Sequence, residues 1–165
     1  MKKTNAARIL DQYKIAYQLL EYPVDEADLS AATAAAKAGI PVETVYKTLV
    51  LHGDKTGNLI AVIPGSADVD LKALATLSGN KKCQMLPLKE VHDATGYIRG
   101  GVSPLGLKKD YPVFIHNEIT NYKKISVSAG MRGLQLQMAP EDLIAITRAK
   151  VGNITKKRLK FFSGL

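Results

Sequence analysis

The chain has 165 residues, 46% hydrophobic and 23% charged, which is the size of one ordinary domain able to bury a core without disulfide or metal staples. Its formal charge is +8, but six basic residues and no acid fall after residue 147, so residues 1–147 carry only +2 and the basicity is mostly a property of the tail. No run approaches 18 apolar residues, and Met1-Lys2-Lys3 leads into a polar, amphipathic segment; this argues against a membrane-spanning helix or a signal peptide and for a cytoplasmic, reducing home.

Ala6, Ile9, Leu10 and Tyr13 recur at helical spacing, with lysines and Asp11 opposite, which predicts an amphipathic helix over residues 3–14. A short strand over 17–22 follows, Pro23 stops it, and 24–29 reads as an acidic loop. Ser30 as N-cap, a run of alanines and Gly39 at a left-handed C′ position predict a small-faced helix over 30–39. Residues 45–52, rich in β-branched and aromatic side chains, the turn residues 53–58 and the apolar run 59–64 read as a hairpin. Asp70 caps a helix that carries Leu71, Leu74 and Ala75 on one face and stops at Gly79. Pro87 at a first helical position opens another that runs to Gly96.

Residues 97–106 are too rich in glycine for regular structure. Strands are expected over 113–116, 124–128 and 134–138; in the last, Leu134, Leu136 and Met138 alternate with Gln135 and Gln137, giving one buried and one solvated face. Pro140-Glu141-Asp142 opens a final helix with acids at the positive end of its dipole. Strands and helices are mixed without strict βαβ alternation. The expected fold class is therefore α+β, a mixed, largely antiparallel sheet surrounded by helices, with residues 1–147 as one domain and 148–165 as a basic tail.

Three segments can carry chemistry. Lys47 lies in a strand whose neighbours are apolar, and alternation puts it on one face with Val45, Leu49 and Leu51 while Tyr46, Thr48 and Val50 take the other. Such a lysine either sits at a sheet edge with its ammonium in water or supplies a fixed cation to a cleft. Gly100-Gly101-Val102-Ser103-Pro104-Leu105-Gly106 can bring backbone N–H groups to an anion or an oxyanion, or can simply be a tight connection. Arg132, between Gly130-Met131 and Gly133, can present a guanidinium to a phosphate or to water.

Other chemistry is poorly supplied. Cys83 is the sole cysteine, and His52, His92 and His116 lie far apart without HxxxH or HExxH spacing, so neither a disulfide nor a metal site is expected. Lys81 and Lys82 can lower the Cys83 pKa, but no partner is identifiable and no role is assigned. Ser103 lacks a GxSxG setting, and no phosphate-loop spacing is present.

Taken together, the strand ending at Tyr22, Tyr46-Lys47-Thr48-Leu49, Thr95-Gly96-Tyr97 leading into Gly100 to Gly106 and then Lys108-Lys109, the segment Val127 to Leu134, and Ala139-Pro140-Glu141-Asp142-Leu143 resemble the YbaK/EbsC family over residues 5–147. These are free-standing aminoacyl-tRNA deacylases related to the editing domain of bacterial prolyl-tRNA synthetase. The resemblance implies a partly barrel-like mixed sheet, no cofactor, and hydrolysis of mischarged tRNA, above all Cys-tRNA(Pro). In the family's proposed mechanism the substrate's own thiol attacks its ester carbonyl, so the protein positions and stabilises charge rather than supplying a nucleophile. Carried over by position, Lys47 is the key catalytic lysine, and Tyr22, Thr48, Gly101, Ser103 and Ser128 line the pocket. Leu29-Ser30 occupies a region where YbaK-type members typically have an aromatic residue, which bears on amino-acid preference.

The tail has no counterpart in that resemblance. Lys156, Lys157 and Arg158, with Arg132, are candidate tRNA contacts through phosphate; otherwise the tail is a solvated terminus with Phe161 and Phe162 docked on the body. Prolyl-tRNA synthetase is a candidate partner. The competing readings are editing of another amino acid such as alanine, a tRNA- or synthetase-binding module without catalysis, and a nonspecific nucleic-acid binder driven by the tail.

Overall fold

A computed structural model describes residues 3–25 and 27–156. Helix α1 (Asn5–Gln12) is capped by Thr4, whose hydroxyl accepts from Ala7 N–H, and β1 (Tyr17–Glu21) follows. Ser30 caps α2 (Ala31–Ala38) and Gly39 closes it at φ 72°, as the sequence predicts. The hairpin β2 (Tyr46–Gly53) and β3 (Gly57–Pro64) leads to α3 (Leu71–Ser78), capped by Asp70 and ended by Gly79. The chain continues through β4 (Cys83–Met85), α4 (Leu88–Thr95), β5 (Val113–His116), β6 (Ile125–Met131), β7 (Leu134–Met138), α5 (Pro140–Thr147) and β8 (Lys150–Gly152).

The strands form two sheets. The smaller has the order β1-β7-β6 and is antiparallel throughout; the larger has the order β4-β2-β3-β5-β8, antiparallel up to β3 and parallel beyond it. One parallel bridge, Val45 to Ser126, joins the two. The fold is thus the expected α+β arrangement. Val127, Leu136 and Met138 from the small sheet, Tyr46, Val50, Ile60 and Val62 from the large one, and Leu10 and Leu143 from α1 and α5 share the main core. Leu51, Leu59, Ala61 and Ile63 turn to the opposite face of the large sheet and pack with Leu74 and Ala75 of α3. Burial of such side chains, at about 25 cal/mol per Å² of apolar surface, drives this layering.

Four expectations change. Pro87 is the N-cap of α4 rather than its first helical residue. Strand β6 runs to Met131 through a bulge between Ser128 and Met131, so the glycine-punctuated turn is tighter than the sequence suggests. Gln135, assigned to a solvated face, is only 7% exposed. Beyond residue 147, β8 pairs with β5, Ile154 is fully buried, and Thr155 bridges to Val69, so the sheet extends into the segment read as tail. Short polar stretches such as β4 and β8 have no periodicity of their own; an available sheet edge makes them strands.

Candidate active site

In a strand, alternate residues share a face, and bridged partners point the same way. Val45 is bridged to Ser126 in a parallel sense, so Lys47 and Ser128, each two residues further on, face one side; Ser128 pairs with Gln135, and Gln135 with Leu20. A single row, Leu20, Gln135, Ser128 and Lys47, therefore crosses the small sheet and reaches the large one. Pairing of β2 with β6 is confined to that one bridge among the described residues, so Lys47 and Ser128 flank the seam between the sheets.

Helix α2 covers this face. At its start, Ala31 lies against Gly65, whose N–H donates to Val45 O (2.8 Å); near its end, Lys37 Nζ donates to Pro23 O (3.2 Å). Asp28 pins the entry, accepting from Thr33 Oγ1 (2.6 Å) and Ser30 N–H (3.0 Å), and those bonds hold its carboxyl below the usual carboxylate range. Further along β2, Leu49 and Leu51 belong to the face covered by α3. Lys47 thus stands between the two covering helices. It is half-buried and has no hydrogen-bond or ion-pair partner among the described residues, so its charge is unneutralised.

One step beyond this row a cleft of about 430 Å³ opens, with Tyr22, Val24, Met131, Arg132 and Gly133 in its walls. Tyr22 N–H donates to Gly133 O (2.9 Å), tying the end of β1 to the β6–β7 turn. A second depression continues past Tyr22 and Arg132 to Leu29, Ser30 and Gly100. The loop of residues 100–106 lies backbone to backbone on that turn. Gly100 has φ 83°, which favours glycine, and a Cβ on Gly101 would come to 3.0 Å from Met131 Cα and 3.2 Å from Met131 C, so a side chain there would push on the turn's backbone. Arg132 Nε donates to Arg99 O (2.8 Å), and Arg132 lines the cleft.

Below the loop, Tyr97 OH donates to Leu105 O (2.6 Å) and Gly106 O (3.1 Å), while its ring lies against Gly130. Burial pushes this phenol up to about 12, so it remains a donor at neutral pH. The Thr95-Gly96-Tyr97 motif shows no task for Tyr97 in the sequence; in the fold it clamps the glycine loop to the β6–β7 turn.

The candidate residues are therefore only partly brought together. Lys47 and Ser128 share the row, Tyr22 and Arg132 the cleft, and Gly101 the contact between loop and turn. Gly101 N–H is engaged by Ile98 O (2.9 Å), so this amide is not open to a ligand. Ser103 is fully buried and its Oγ accepts from Leu105 N–H (3.3 Å), a bond internal to the loop. Ser128 Oγ accepts from Gly130 N–H (3.1 Å). Thr48 lies on the opposite face, paired with Val62, its hydroxyl buried without a partner among the described residues. Lys156 is exposed, with its N–H on Asp68 O (2.9 Å), and does not line the cleft; Lys157, Arg158, Phe161 and Phe162 lie outside the described residues.

Cys83 is buried in β4, and no group of three or more His, Cys, Asp or Glu able to hold a metal occurs among the described residues. Neither Ser103 nor Ser128 is hydrogen-bonded to a histidine. What the arrangement offers is a fixed cation, a shaped cleft and rigid loops: positioning and charge stabilisation.

Residues 25–146 match the model of the aminoacyl-tRNA editing domain. The chain belongs to that family. EbsC of Enterococcus faecalis, named as a proposed Cys-tRNA(Pro)/Cys-tRNA(Cys) deacylase, is 47% identical over 156 residues, 94% of this chain and 95% of the relative. YwhH of Bacillus subtilis is 29% identical over 134 residues, 79% of this chain and 85% of the relative. The crystal structure of a proposed trans-editing enzyme for prolyl-tRNA synthetase has the same fold, with a TM-score of 0.81 at 24% identity over 95% of this chain and 100% of that one. Editing is hydrolysis of the ester between amino acid and tRNA, and this editing-domain protein is accordingly an aminoacyl-tRNA deacylase.

Proposed function

We propose that this editing domain acts in trans in the cytoplasm on Cys-tRNA(Pro), with the substrate thiol as nucleophile. The observation that carries the reading is Lys47, a half-buried cation without a counter-ion among the described residues, on the face leading into the Tyr22–Arg132 cleft. The name of the 47% identical relative supports the choice of substrate. In the reaction the cysteine sulfur forms a bond to its own acyl carbon, and the bond from that carbon to the terminal ribose oxygen breaks. The ribose oxygen takes up the proton the thiol releases. The cyclic thioester then leaves or is hydrolysed by water.

Lys47 stabilises negative charge, either on the carbonyl oxygen as it develops or on the terminal phosphate. Tyr22 and Ser128 bound the space for the aminoacyl end, and Gly101 and Ser103 set the loop that closes it. Arg132 meets the backbone of the acceptor end, with Lys156, Lys157 and Arg158 as further phosphate contacts. A prolyl-tRNA synthetase partner supplies the choice of tRNA, since a near-neutral body of this size offers little surface for reading one.

A panel of Cys-, Ala- and Ser-charged tRNA(Pro), assayed for deacylation with and without the synthetase, tests the reading. Cysteine should be released fastest. Equal release of alanine would remove the thiol from the mechanism, and synthetase-independent selection of tRNA(Pro) would remove the partner.

A further inference from the structure

Among the described residues, the amide oxygen of Gln135 has nothing to bind. It lies in the row between Leu20 and Ser128, is 7% exposed, and its Oε1 is buried without a hydrogen-bond partner. Its diagonal neighbour Ser126 is fully buried on the same face, and its Oγ is likewise unpartnered. Helix α2, which runs from Gly65 to Pro23 at the two ends of this row, buries only Ala34 and Ala35, residues with no side-chain donor to offer. Orphaned buried acceptors destabilise a fold, and they persist where a ligand completes them.

We infer that Gln135, with Ser126 beside it, is a specificity-determining subsite for the reaction at Lys47. Its carboxamide oxygen accepts a hydrogen bond from an N–H or O–H donor at the aminoacyl end of the substrate, either the α-ammonium or the free hydroxyl of the terminal ribose. The location suits this. Ser128 alone separates Gln135 from Lys47 along the row, and neighbouring strands lie about 4.8 Å apart, so one aminoacyl-adenosine end spans both. A neutral acceptor also suits a donor that must sit near the cations Lys47 and Arg132, where a further positive charge needs a partner and no carboxylate stands in the row. The inference rests on the deacylase reading above.

Gln135→Met keeps the side-chain length and removes the acceptor. Its kcat/KM is compared with wild type on Cys-tRNA(Pro), on the same tRNA carrying N-acetylcysteine, and on cysteine esterified to a terminal 2′-deoxyadenosine. Wild type should prefer the intact substrate over one of the two analogues by about 10-fold or more, and Gln135→Met should lose that preference while melting at the same or a higher temperature. Lost preference against the N-acetyl analogue assigns the α-ammonium, and against the deoxy analogue the ribose hydroxyl. An equal loss on all three substrates, or no loss on any, overturns the inference. If Gln135→Met does not fold, Gln135→Glu, which keeps the acceptor oxygen, must retain the wild-type preference, and its failure to do so is equally fatal. Wild type inactive on every mischarged tRNA overturns the deacylase reading and this subsite together, whereas active wild type with an unaffected Gln135→Met overturns the subsite alone.

Discussion

Lys47 is the residue on which both physical and family arguments converge, and its surroundings say what its loss should do. Among the described residues it neutralises no carboxylate and caps no carbonyl, so removing it takes little from the fold. Lys47→Ala should lower single-turnover deacylation of Cys-tRNA(Pro) by about 100-fold or more, the scale seen when one charge-stabilising donor is lost, with an unchanged thermal melt. Gly101 is the opposite case. A methyl there meets the Met131 backbone, which cannot swing aside as a side-chain tip would, so Gly101→Ala should cost about 1–3 kcal/mol in urea unfolding and lower activity as well. A lysine among apolar strand residues is visible in sequence. That Ser103 bonds inside its own loop is not, because the bond depends on how that loop folds back.

The working elements are two loops held together from both sides. Tyr97 fastens residues 105 and 106 from below while its ring supports Gly130; Arg132 fastens residue 99 from above. Tyr97→Phe keeps the ring and strips the donor from two carbonyls, so it should destabilise by about 1–2 kcal/mol in thermal denaturation. The same variant should also slow deacylation, mainly in kcat, because the loop then drifts from the β6–β7 turn. Thr95-Gly96-Tyr97 is legible as a motif because Gly96 ends α4 and Thr95 Oγ1 accepts from Tyr97 N–H (3.0 Å), both local events. Its purpose is not legible, since the partners of Tyr97 lie eight, nine and thirty-three residues away. For α2 the caps and the alanine run are readable, whereas the burial of Gln135 is not: Gln135 and Gln137 alternate with Leu134, Leu136 and Met138 as a solvated face would, yet Gln135 is only 7% exposed.

At the scale of the molecule, the C-terminal segment is secured through His116. Its ring is nearly fully buried, and Nδ1 accepts from Ile154 N–H (3.2 Å), with Thr155 Oγ1 3.4 Å from Nε2 and Glu118 3.7 Å away. Burial pushes the imidazole below its ordinary value of 6.5, against the smaller opposite effect of Glu118. The unfolded chain therefore takes up this proton first as pH falls. The contribution to stability is complete above about 6.5 and is lost as pH drops through the lower folded-state value. Urea midpoints measured from pH 7.5 to 5 should decline in this window, and His116→Asn should flatten the decline. The charge of the tail is tested by truncation after Lys156, which spares Ile154 and Thr155: if Lys157, Arg158 and Lys160 meet phosphates, the log–log salt slope of tRNA binding should fall by up to about three contacts' worth.

From its own residues the chain determined its helix caps, its hairpin, its α+β class and the candidacy of Lys47, because caps, turns and alternation act within a few residues. The family resemblance added the chemistry that remains when triad and metal motifs are missing. The division of +2 body and +6 tail needed the fold to be placed correctly: Arg148, Lys150 and Lys156 belong to a segment that the sheet holds through β8, Ile154 and Thr155. Alternation along β2 already set Thr48 on the face away from Lys47, whereas only the tertiary structure decided that Lys47 sits at the seam of two sheets and that Gln135 is buried. The first depends on a single bridge from Val45 to Ser126 and the second on what packs against a distant strand pair, contacts that no local pattern encodes.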